Sequence, residues 1–509
     1  MAALSLATDL AMGMPLETGL AVCRVAVALA EEAGLDDAER TRVYHVALLR
    51  HVGCTAESHS FAEIVGDEIR FRAGAAPLET TSPRALGGYM LGHLFRTRGL
   101  VGTAAKLASM VAQRDRFQEG VLAVCEVGEL LARHLGLGED VQRELVLVSE
   151  RWDGKSFLKR ARGEEVPIGV RVVQVAECAS VYDELGGPDA AAAVVRERAG
   201  GAFDPRLAEL FARRAKALLT PPEGALWDAV VADAPARGAR LRGEPLDAAL
   251  AAMGEFADLK SPYTVGHSRG VAALAEGAGR VAGMTEAEVA LLRRAALVHD
   301  VGRVAVPSPI WEKPSALKPD EWERVRLHPY HGERILARSP GLARLGAIAS
   351  RHHERCDGSG YHRGLERGAL TPAARILAAA DACHGMSEER PHRAALAPGA
   401  VAAELNRGVR EGSLDADAVE CVLVAAGRRP RRRRTHVSGL TARELEVLRL
   451  IARGRSTKQI AAELTITPKT ADSHIQHIYG KLGVSTRAAA TVFAMHHGLL
   501  EQSSGEHPM

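Results

Sequence analysis

Aromatic residues make up only 4% of this 509-residue chain, and its seven cysteines include no CxxC pair. An odd number of scattered cysteines argues against a disulfide scaffold or a zinc ribbon and favours a reducing compartment. The sequence also lacks a basic region followed by an apolar segment at its start, and it has no uncharged run of about 20 residues that could span a membrane. We therefore expect a cytoplasmic protein with no membrane association.

The chain does contain enough apolar material for several helical cores. Hydrophobic residues account for 47% of the sequence and charged residues for 25%, which excludes a disordered chain. Long alanine-rich runs with few aromatic residues indicate helices that pack through small side chains. At about 150 residues per domain, the length predicts roughly three domains.

Charge is distributed unevenly along the chain. Residues 428–509 contain 14 Lys and Arg against 6 Asp and Glu, whereas the preceding residues contain 51 against 57. A basic tail on an acidic body is typical of proteins that bind nucleic acid. The alternative is a solvated basic tail without a partner, and charge alone does not separate the two.

The basic tail has the pattern of a helix-turn-helix. Thr441 and Glu444 form a predicted capping box, and a tight turn at 465–467 precedes Pro468 at the first position of another helix. Apolar side chains recur along that helix at helical spacing and predict its buried face. The opposite face is polar and basic and carries Lys469, Thr470, Ser473, His474, His477 and Lys481.

Residues 440–490 closely resemble the LuxR-type C-terminal DNA-binding domain, through LTARELEVL, IAAELTITPKT and HIYGKLGVSTR. The resemblance implies a four-helix domain that acts as a homodimer and places the polar face of its recognition helix on double-stranded DNA. Asp472 stands where many relatives carry a basic residue. Phosphate contacts are expected from the Arg-rich linker, at Arg431, Arg432, Arg433 and Arg434. The alternative is a helical bundle that never touches DNA.

A second kind of chemistry lies upstream, in a region that is helical by pattern. It contains a set of imidazoles and carboxylates: His267, His299, Asp300, His328, His352, His353 and Asp381. Asp381 stands in an otherwise apolar stretch, where a charged group is costly unless a metal ion neutralises it. Iron, manganese and zinc all accept these ligands, and one Asp can bridge two cations about 3.5–4 Å apart. The set predicts two divalent transition metals, iron or manganese in the first place, with zinc as an alternative.

Residues 258–393 resemble the HD-GYP subgroup of HD-domain phosphohydrolases, through PYTVGHS, HDVGR, HHERCDGSGY and ARILAAAD. The resemblance implies metal-assisted hydrolysis of cyclic di-GMP or a related cyclic dinucleotide. It implies one metal held by His267, His299, Asp300 and Asp381, and another held by Asp300, His328, His352 and His353. The residues expected to act on or face the substrate are Asp300, Arg303, Asp357, Gly360 and Tyr361.

Four positions depart from the family pattern. Arg303 replaces a lysine that faces the substrate phosphate, and His362 replaces the proline of the GYP triplet. His384 stands at a position that is usually acidic. Relatives with a third metal carry a glutamate four residues before the first histidine, and Tyr263 occupies that position here. The complete ligand set argues for retained chemistry with two metals, and the altered Arg303 and His362 argue for an altered substrate.

The N-terminal half repeats the second region at two fixed offsets. Residues 52–53 match 301–302 at an offset of 249, and residues 150–154 match 354–358 at an offset of 204 except at one position. The residues that fall on His267, His299-Asp300, His352-His353 and Asp381 are, in order, Thr18, Arg50-His51, Val148-Ser149 and Glu177. We therefore predict a degenerate copy that holds no metal pair and that senses a signal, packs against its sibling, or does both.

The predicted fold is all-α, with two tandem HD-type domains followed by the helix-turn-helix domain. The expected segments are a degenerate domain at 1–219, a linker at 220–245, a metal-binding domain at 246–427, an Arg-rich linker at 428–437, the LuxR-type domain at 438–500 and a disordered tail at 501–509. One hypothesis is a transcriptional regulator whose metal domain senses a cyclic dinucleotide and hydrolyses it slowly or not at all. The other is primarily a phosphodiesterase whose DNA-binding tail is regulatory. A plain HD nucleotidase would not need His328 or the His352-His353 pair.

Overall fold

A computed structural model of the chain describes residues 1–79, 81–112, 114–235, 241–428 and 439–500. Within these ranges the regular structure is helical, so the predicted all-α class is confirmed. The chain forms two compact units, 1–246 and 247–509. No described helix combines the length and the apolar character needed to cross a bilayer. The Arg-rich segment with Arg431–Arg434 and the tail 501–509 lie outside the described residues.

The first unit is built from short and medium helices with two long ones, and the long α9 is broken at Gly187, where φ is 77°. Its helices are α1 (Ala2–Met12), α2 (Thr18–Glu32), α3 (Asp37–Leu49), α4 (Ser58–Val65), α5 (Glu68–Ala75), α6 (Pro83–Ala112), α7 (Arg114–His134), α8 (Glu139–Val146), α9 (Ile168–Glu197), α10 (Pro205–Leu219) and α11 (Leu226–Ala232). A 3-10 helix, Val52–Glu57, follows α3.

The segment 220–245 differs from the linker expected there. It contains α11, whose Trp227 and Val230 are buried. The Tyr44 hydroxyl donates a hydrogen bond to the Val230 carbonyl over 3.1 Å. This part of the segment therefore packs within the first unit, because its apolar residues have a helical spacing that allows burial.

The second unit contains the predicted metal ligands and the helix-turn-helix. Its first helix, α12, begins in the last residues of the first unit. The helices are α12 (Gly243–Asp258), α13 (His267–Val281), α14 (Glu286–Leu297), α15 (Ser308–Trp311), α16 (Pro319–Arg326), α17 (His328–Ala337), α18 (Pro340–Ala349), α19 (Pro372–Met386), α20 (Pro398–Arg410), α21 (Ala416–Arg428), α22 (Ala442–Ala452), α23 (Thr457–Glu463), α24 (Pro468–Leu482) and α25 (Arg487–His496). A 3-10 helix, Val301–Ala305, follows α14.

The helix bounds of the two units repeat at the offsets found in the sequence. The bounds of α2, shifted by 249 residues, are those of α13, and the first residue of α9, shifted by 204, is that of α19. The residues that precede α2 and α13, Glu17 and Gly266, both have a positive φ, of 79° and 85°. This correspondence supports the proposed duplication.

Local contacts also repeat between the units. Both α3 and α14 begin with a capping box, which satisfies backbone N–H groups at the start of the helix. An arginine on α9 and an arginine on α19 each form a 2.7 Å ion pair with a buried aspartate. The pairs are Arg171–Asp204 and Arg375–Asp415. Equivalent capping boxes and arginine–aspartate ion pairs therefore stabilise corresponding helices in both units.

Candidate metal centre and DNA interface

The predicted metal ligands converge in the second unit, although they are far apart in the sequence. His267 begins α13, His299 and Asp300 follow α14, His328 begins α17, and Asp381 lies within α19. The helices bring all five to one place, where each is buried. His352 is buried just after α18, and His353 beside it is partly exposed.

Three of the histidines are fixed by the same backbone device. His299, His328 and His352 each place Nδ1 within 2.6–2.7 Å of the carbonyl oxygen three residues earlier. Since a carbonyl only accepts hydrogen bonds, each Nδ1 carries the proton. In the neutral form of an imidazole held in this way, the lone pair is on Nε2, which here points into the cluster, as metal-binding histidines require.

The Nε2 atoms of His328 and His352 lie 3.1 Å apart, although both are acceptors. Asp300 Oδ1 lies 3.3 Å from the first and 3.4 Å from the second, so three buried acceptor atoms face one another. Asp300 Oδ1 has no hydrogen-bond donor. Such an arrangement is repulsive unless a cation lies among the three atoms, and the residues present therefore fit a metal ion.

A second set of acceptors surrounds the other oxygen of Asp300. His299 Nε2 lies 3.5 Å from Asp300 Oδ2 and 3.6 Å from Asp381 Oδ1. His267 Nε2 is 3.1 Å from the same Asp381 oxygen. His299 Nε2 also has no hydrogen-bond partner. Asp300 thus lies between two groups of ligands, with one oxygen directed to each.

The surroundings of the histidines favour a positive charge on His267 and neutral imidazoles at His328 and His353. Burial opposes protonation of His267, but Glu388 and Asp381 raise the pKa of this imidazole to about 10. Burial lowers the pKa of His328 to about 4 and holds the pKa of His353 well below its usual range. Carboxylates that draw a proton onto His267 would equally draw a metal ion.

Glu388 and His384 belong to the centre, and sequence reasoning missed Glu388. Glu388 Oε2 accepts a 2.8 Å hydrogen bond from His267 Nδ1, and His384 Nε2 lies 3.3 Å from the other Glu388 oxygen. Arg390 Nη2 donates a hydrogen bond to Glu388 Oε2 over 2.7 Å. Glu388 lies two residues beyond the end of α19, so helical spacing gave no signal that would have placed it beside Asp381 and His384.

The residues expected to face the substrate are only partly gathered at the centre. Arg303 Nη1 donates to Asp300 Oδ2 over 2.7 Å, and its guanidinium lies 4.0 Å from the centre of the Trp311 ring. The Tyr361 ring packs 4.7 Å from that of His353. Asp357 is exposed in its own turn, where it accepts hydrogen bonds from Ser359, so the structure does not bring it to the cluster.

The loop that carries Tyr361 depends on close backbone contact. A Cβ on Gly360 would lie 2.3 Å from the Arg355 nitrogen, so only glycine fits this position. Buried Glu354 accepts hydrogen bonds from the backbone N–H groups of Arg363 and Leu365, over 2.8 and 2.7 Å. These contacts hold the loop against the predicted metal ligands.

The helix-turn-helix forms as the sequence predicts. Thr441 and Glu444 make the expected capping box, and Thr467 caps α24 with Pro468 at its first position. The turn between α23 and α24 contains Thr465 at a φ of 54°. The apolar residues of α24 pack into a common core with α22 and α25.

The polar face of α24 is largely open to solvent. Lys469, Thr470, Ser473 and His477 are exposed, and His474 is partly buried. Lys481 differs from the others, because its ammonium donates to Glu444 Oε2 over 2.7 Å and to the Gly439 carbonyl over 3.2 Å. Lys481 is thus also exposed, but its ammonium is already paired within the domain.

In this helical bundle, buried imidazole and carboxylate atoms lie on both sides of one aspartate, an arrangement that can hold divalent metal ions. Residues 252–418 match the HD domain family, and residues 438–494 match the bacterial regulatory proteins of the luxR family. The second unit therefore contains an HD domain, followed by a LuxR-type helix-turn-helix domain. Divalent metals are the cofactors of such HD domains.

Known proteins resemble both parts of the chain. The "3'3'-cGAMP-specific phosphodiesterase 3" of Vibrio cholerae is 28% identical over 404 residues, which are 78% of this chain and 87% of that protein. A crystal structure of a cyclic GMP-AMP-specific phosphodiesterase of V. cholerae has a TM-score of 0.55 and 24% identity, covers 84% of this chain and 98% of its own, and shows a shared fold. The "Probable transcriptional regulatory protein NarL" of Mycobacterium tuberculosis is 55% identical over 62 residues, 12% of this chain and 29% of that protein.

Proposed function

We propose that this chain is a transcriptional regulator whose HD domain binds a cyclic dinucleotide and hydrolyses one of its phosphodiester bonds. The observation that carries this proposal is the triangle of acceptor atoms formed by Asp300, His328 and His352, with sides of 3.1–3.4 Å. Together with His267, His299, His353 and Asp381, it supplies ligands for two divalent metals, iron or manganese in the first place.

The chain itself would position the phosphodiester. When bound, two divalent cations would polarise the phosphate and lower the pKa of a water molecule. Arg303 offers a guanidinium next to Asp300, and its stacking on Trp311 fixes the plane of that group. A planar guanidinium can bind two phosphate oxygens at once, so Arg303 can take the role of the lysine found in relatives.

Aromatic side chains near Tyr361 support a nucleotide as the substrate. Trp322 is 43% exposed and Tyr330 is 38% exposed, although large aromatic residues are rare in this chain. The Trp322 ring lies 5.8 Å from that of Tyr361, which packs on the metal ligand His353. Exposed rings of this kind bind bases by stacking, and the V. cholerae relatives are named for a cyclic dinucleotide.

The exposed polar face of α24 supports DNA binding. Lys469, Thr470, Ser473 and His477 are free of the helical core and lie along a helix of the length that fits a major groove. We propose that two copies of the chain bind double-stranded DNA as a homodimer. Arg431–Arg434 would add phosphate contacts.

The test uses the full-length protein loaded with Mn²⁺ and incubated separately with 3'3'-cGAMP and cyclic di-GMP, with products separated by chromatography. We expect a linear dinucleotide or mononucleotides from at least one substrate. Asp300→Asn should abolish turnover, and Asp357→Asn, a change of the same kind outside the cluster, should retain it. Absence of product with both substrates in the metal-loaded protein would contradict hydrolysis.

The alternative is a phosphodiesterase whose DNA-binding domain is secondary. It is tested by measuring the affinity of the Asp300→Asn protein for DNA with and without each cyclic dinucleotide. A regulator should show a change in DNA affinity when the dinucleotide binds. Turnover in the wild-type protein together with an unchanged DNA affinity would favour the alternative.

A further inference from the structure

A second cluster of reactive side chains lies in the first unit, at positions that correspond to metal ligands of the second. His51 Nε2 lies 2.7 Å from Glu177 Oε1, and Arg50 Nε lies 3.0 Å from the same oxygen. Cys54 Sγ lies 3.8 Å from the other nitrogen of His51, Nδ1. Cysteine, imidazole and carboxylate are thus arranged in series.

This order of groups is the one that activates a thiol. Glu177 accepts a hydrogen bond from His51 Nε2–H and so leaves Nδ1 to accept the proton of the thiol. Burial works against the Cys54 thiolate, but the hydrogen bond and the positive charge of His51 outweigh it and lower the pKa of the thiol. Burial likewise opposes protonation of His51, yet Glu177 raises the pKa of the imidazole to about 9.

The backbone around Cys54 is held firmly in place. The 3-10 helix that carries it packs on α7, where a Cβ on Gly53 would lie 1.9 Å from the Val124 carbonyl oxygen. Arg72 donates to the Cys54 carbonyl over 2.9 Å and to the Ser58 hydroxyl over 3.3 Å, which adds a second positive charge near the sulfur. Both features keep the thiol next to His51.

Solvent reaches this cluster. The side chain of His51 is 26% exposed and that of Glu177 is 35% exposed, and Cys54 itself is partly exposed. Four other cysteines differ in environment: Cys23, Cys125, Cys178 and Cys383 are buried. Reactive cysteines combine thiolate character with access, and within the described residues Cys54 has both.

We infer that Cys54 is a site of reversible oxidation by peroxides, with His51 as the base that activates it and Glu177 as the residue that positions His51. The Cys54 proton moves to His51 Nδ1, and the sulfur then attacks one oxygen of hydrogen peroxide. An S–O bond forms, the O–O bond breaks, and the sulfur is oxidised by two electrons. The departing hydroxide takes the proton from His51 and leaves as water, so that the product is a sulfenic acid. This site is independent of the proposed phosphodiesterase.

The experiment compares cysteines within one protein. Reduced full-length protein is treated with iodoacetamide at pH 7, and the rate at each cysteine is followed by peptide mass spectrometry. Cys356 and Cys421 serve as internal references, because they are also partly exposed and burial raises the pKa of both thiols. We expect Cys54 to react about five-fold faster or more, since its larger thiolate fraction outweighs its lower intrinsic nucleophilicity. A rate no higher than that of both references would overturn the inference.

A second measurement tests the oxidation itself. Hydrogen peroxide followed by dimedone, which traps sulfenic acids, should label Cys54 before Cys356 and Cys421. His51→Gln should reduce both the alkylation rate and the label to the level of the references, and Glu177→Gln should reduce them in part. His59→Gln changes a partly exposed histidine on the next helix and should change neither. Absence of the dimedone label on wild-type Cys54, or an unchanged Cys54 rate in a folded His51→Gln protein, would refute the proposed role.

Discussion

Glu389 of the HD domain and Arg455 of the LuxR-type domain form an ion pair, with Arg455 Nη2 3.1 and 3.0 Å from the two carboxylate oxygens. Glu389 directly follows Glu388, which accepts a hydrogen bond from His267, a proposed metal ligand. Arg455 lies just before α23, the first helix of the helix-turn-helix. Two neighbouring carboxylates therefore connect the metal centre to the DNA-binding domain.

We expect Glu389→Ala to reduce the effect of metal binding on DNA affinity, because it removes this connection. A partly exposed ion pair contributes at most about 1 kcal/mol, so the effect is limited to about five-fold in Kd. The measurement is fluorescence anisotropy with a labelled duplex, before and after chelation. Glu404→Ala breaks another exposed ion pair of the HD domain, that with Arg407, and is the matched control. An equal response to chelation in the wild type and Glu389→Ala would contradict the connection.

Metal content should depend on Asp300 and not on Asp357. Asp300 directs one oxygen to each group of ligands, so Asp300→Asn should release both ions, whereas the wild type should retain about two per chain. Asp357→Asn changes an exposed carboxylate outside the cluster and should leave the metal content unchanged. Elemental analysis of the full-length proteins distinguishes the outcomes. A wild-type protein without metal after growth with iron and manganese would exclude the proposed centre.

Glu388→Gln should weaken metal binding by about 10–100-fold, which is typical when the partner of a metal-binding histidine is lost. The carboxylate accepts from His267 Nδ1 and so directs Nε2 toward Asp381. The dissociation constant for Mn²⁺ is measured by competition with a chelator. Glu389→Gln alters the adjacent residue and should leave this constant nearly unchanged. If both variants bind Mn²⁺ as tightly as the wild type, Glu388 has no positioning role.

Much of the local structure and the ligand set could be predicted from the sequence. A capping box such as that of Thr441 and Glu444 involves two residues three positions apart, so it can be recognised in the sequence alone. The metal ligands were visible because imidazoles and a lone Asp381 are costly in apolar helices without a cation. Glu388 was missed, since an acidic residue after a helix end gives no sign of its partner 121 residues away.

The ion pair of Lys481 with Glu444 also could not be predicted from the sequence. Its place on the polar face of α24 suggests a DNA contact, but which basic residue pairs with Glu444 is decided by how α22 and α24 pack. The helix at 226–232 was missed for a similar reason, because the surrounding prolines and glycines dominate the sequence pattern.

The ion pair of Lys481 and Glu444 predicts a pH-dependent stability. Burial alone would raise the pKa of Glu444, but Lys481 and the capping contacts of Thr441 lower it to about 2, below its ordinary value of about 4.3. The ionised carboxylate therefore stabilises the folded domain fully above about pH 5, and this contribution is lost as the pH falls toward 2.

Lys481→Met should lower the free energy of unfolding of this domain by about 1 kcal/mol at pH 7. The difference from the wild type should shrink below about pH 4, where Glu444 becomes protonated in the variant and then in the wild type. Urea-dependent hydrogen exchange of peptides from α22 and α24 reports on the domain within the full chain. Lys469→Met, in the same helix but facing solvent, should show no such pH dependence. A difference for Lys481→Met that persists at low pH would exclude this explanation.

The two lysines of α24 should also differ in DNA binding. Lys469→Ala should reduce the affinity for a selected site by about 1–3 kcal/mol if it reads a base edge. Lys481→Ala should cost less than half as much, because its ammonium is held by Glu444 and by the Gly439 carbonyl. Binding titrations with the selected duplex at one salt concentration compare the two. Equal losses would show that DNA displaces Glu444 from Lys481.

The guanidinium of Arg50 has a consequence for how the protein responds to metal starvation. It gives the first unit a permanent positive charge beside Glu177, at the position where the second unit has His299 beside Asp381. The first unit thus carries its own cation, whereas the proposed centre of the second unit would take up cations from solution. Under the proposed function, chelation should alter only the second unit, and DNA affinity should then follow the availability of metal.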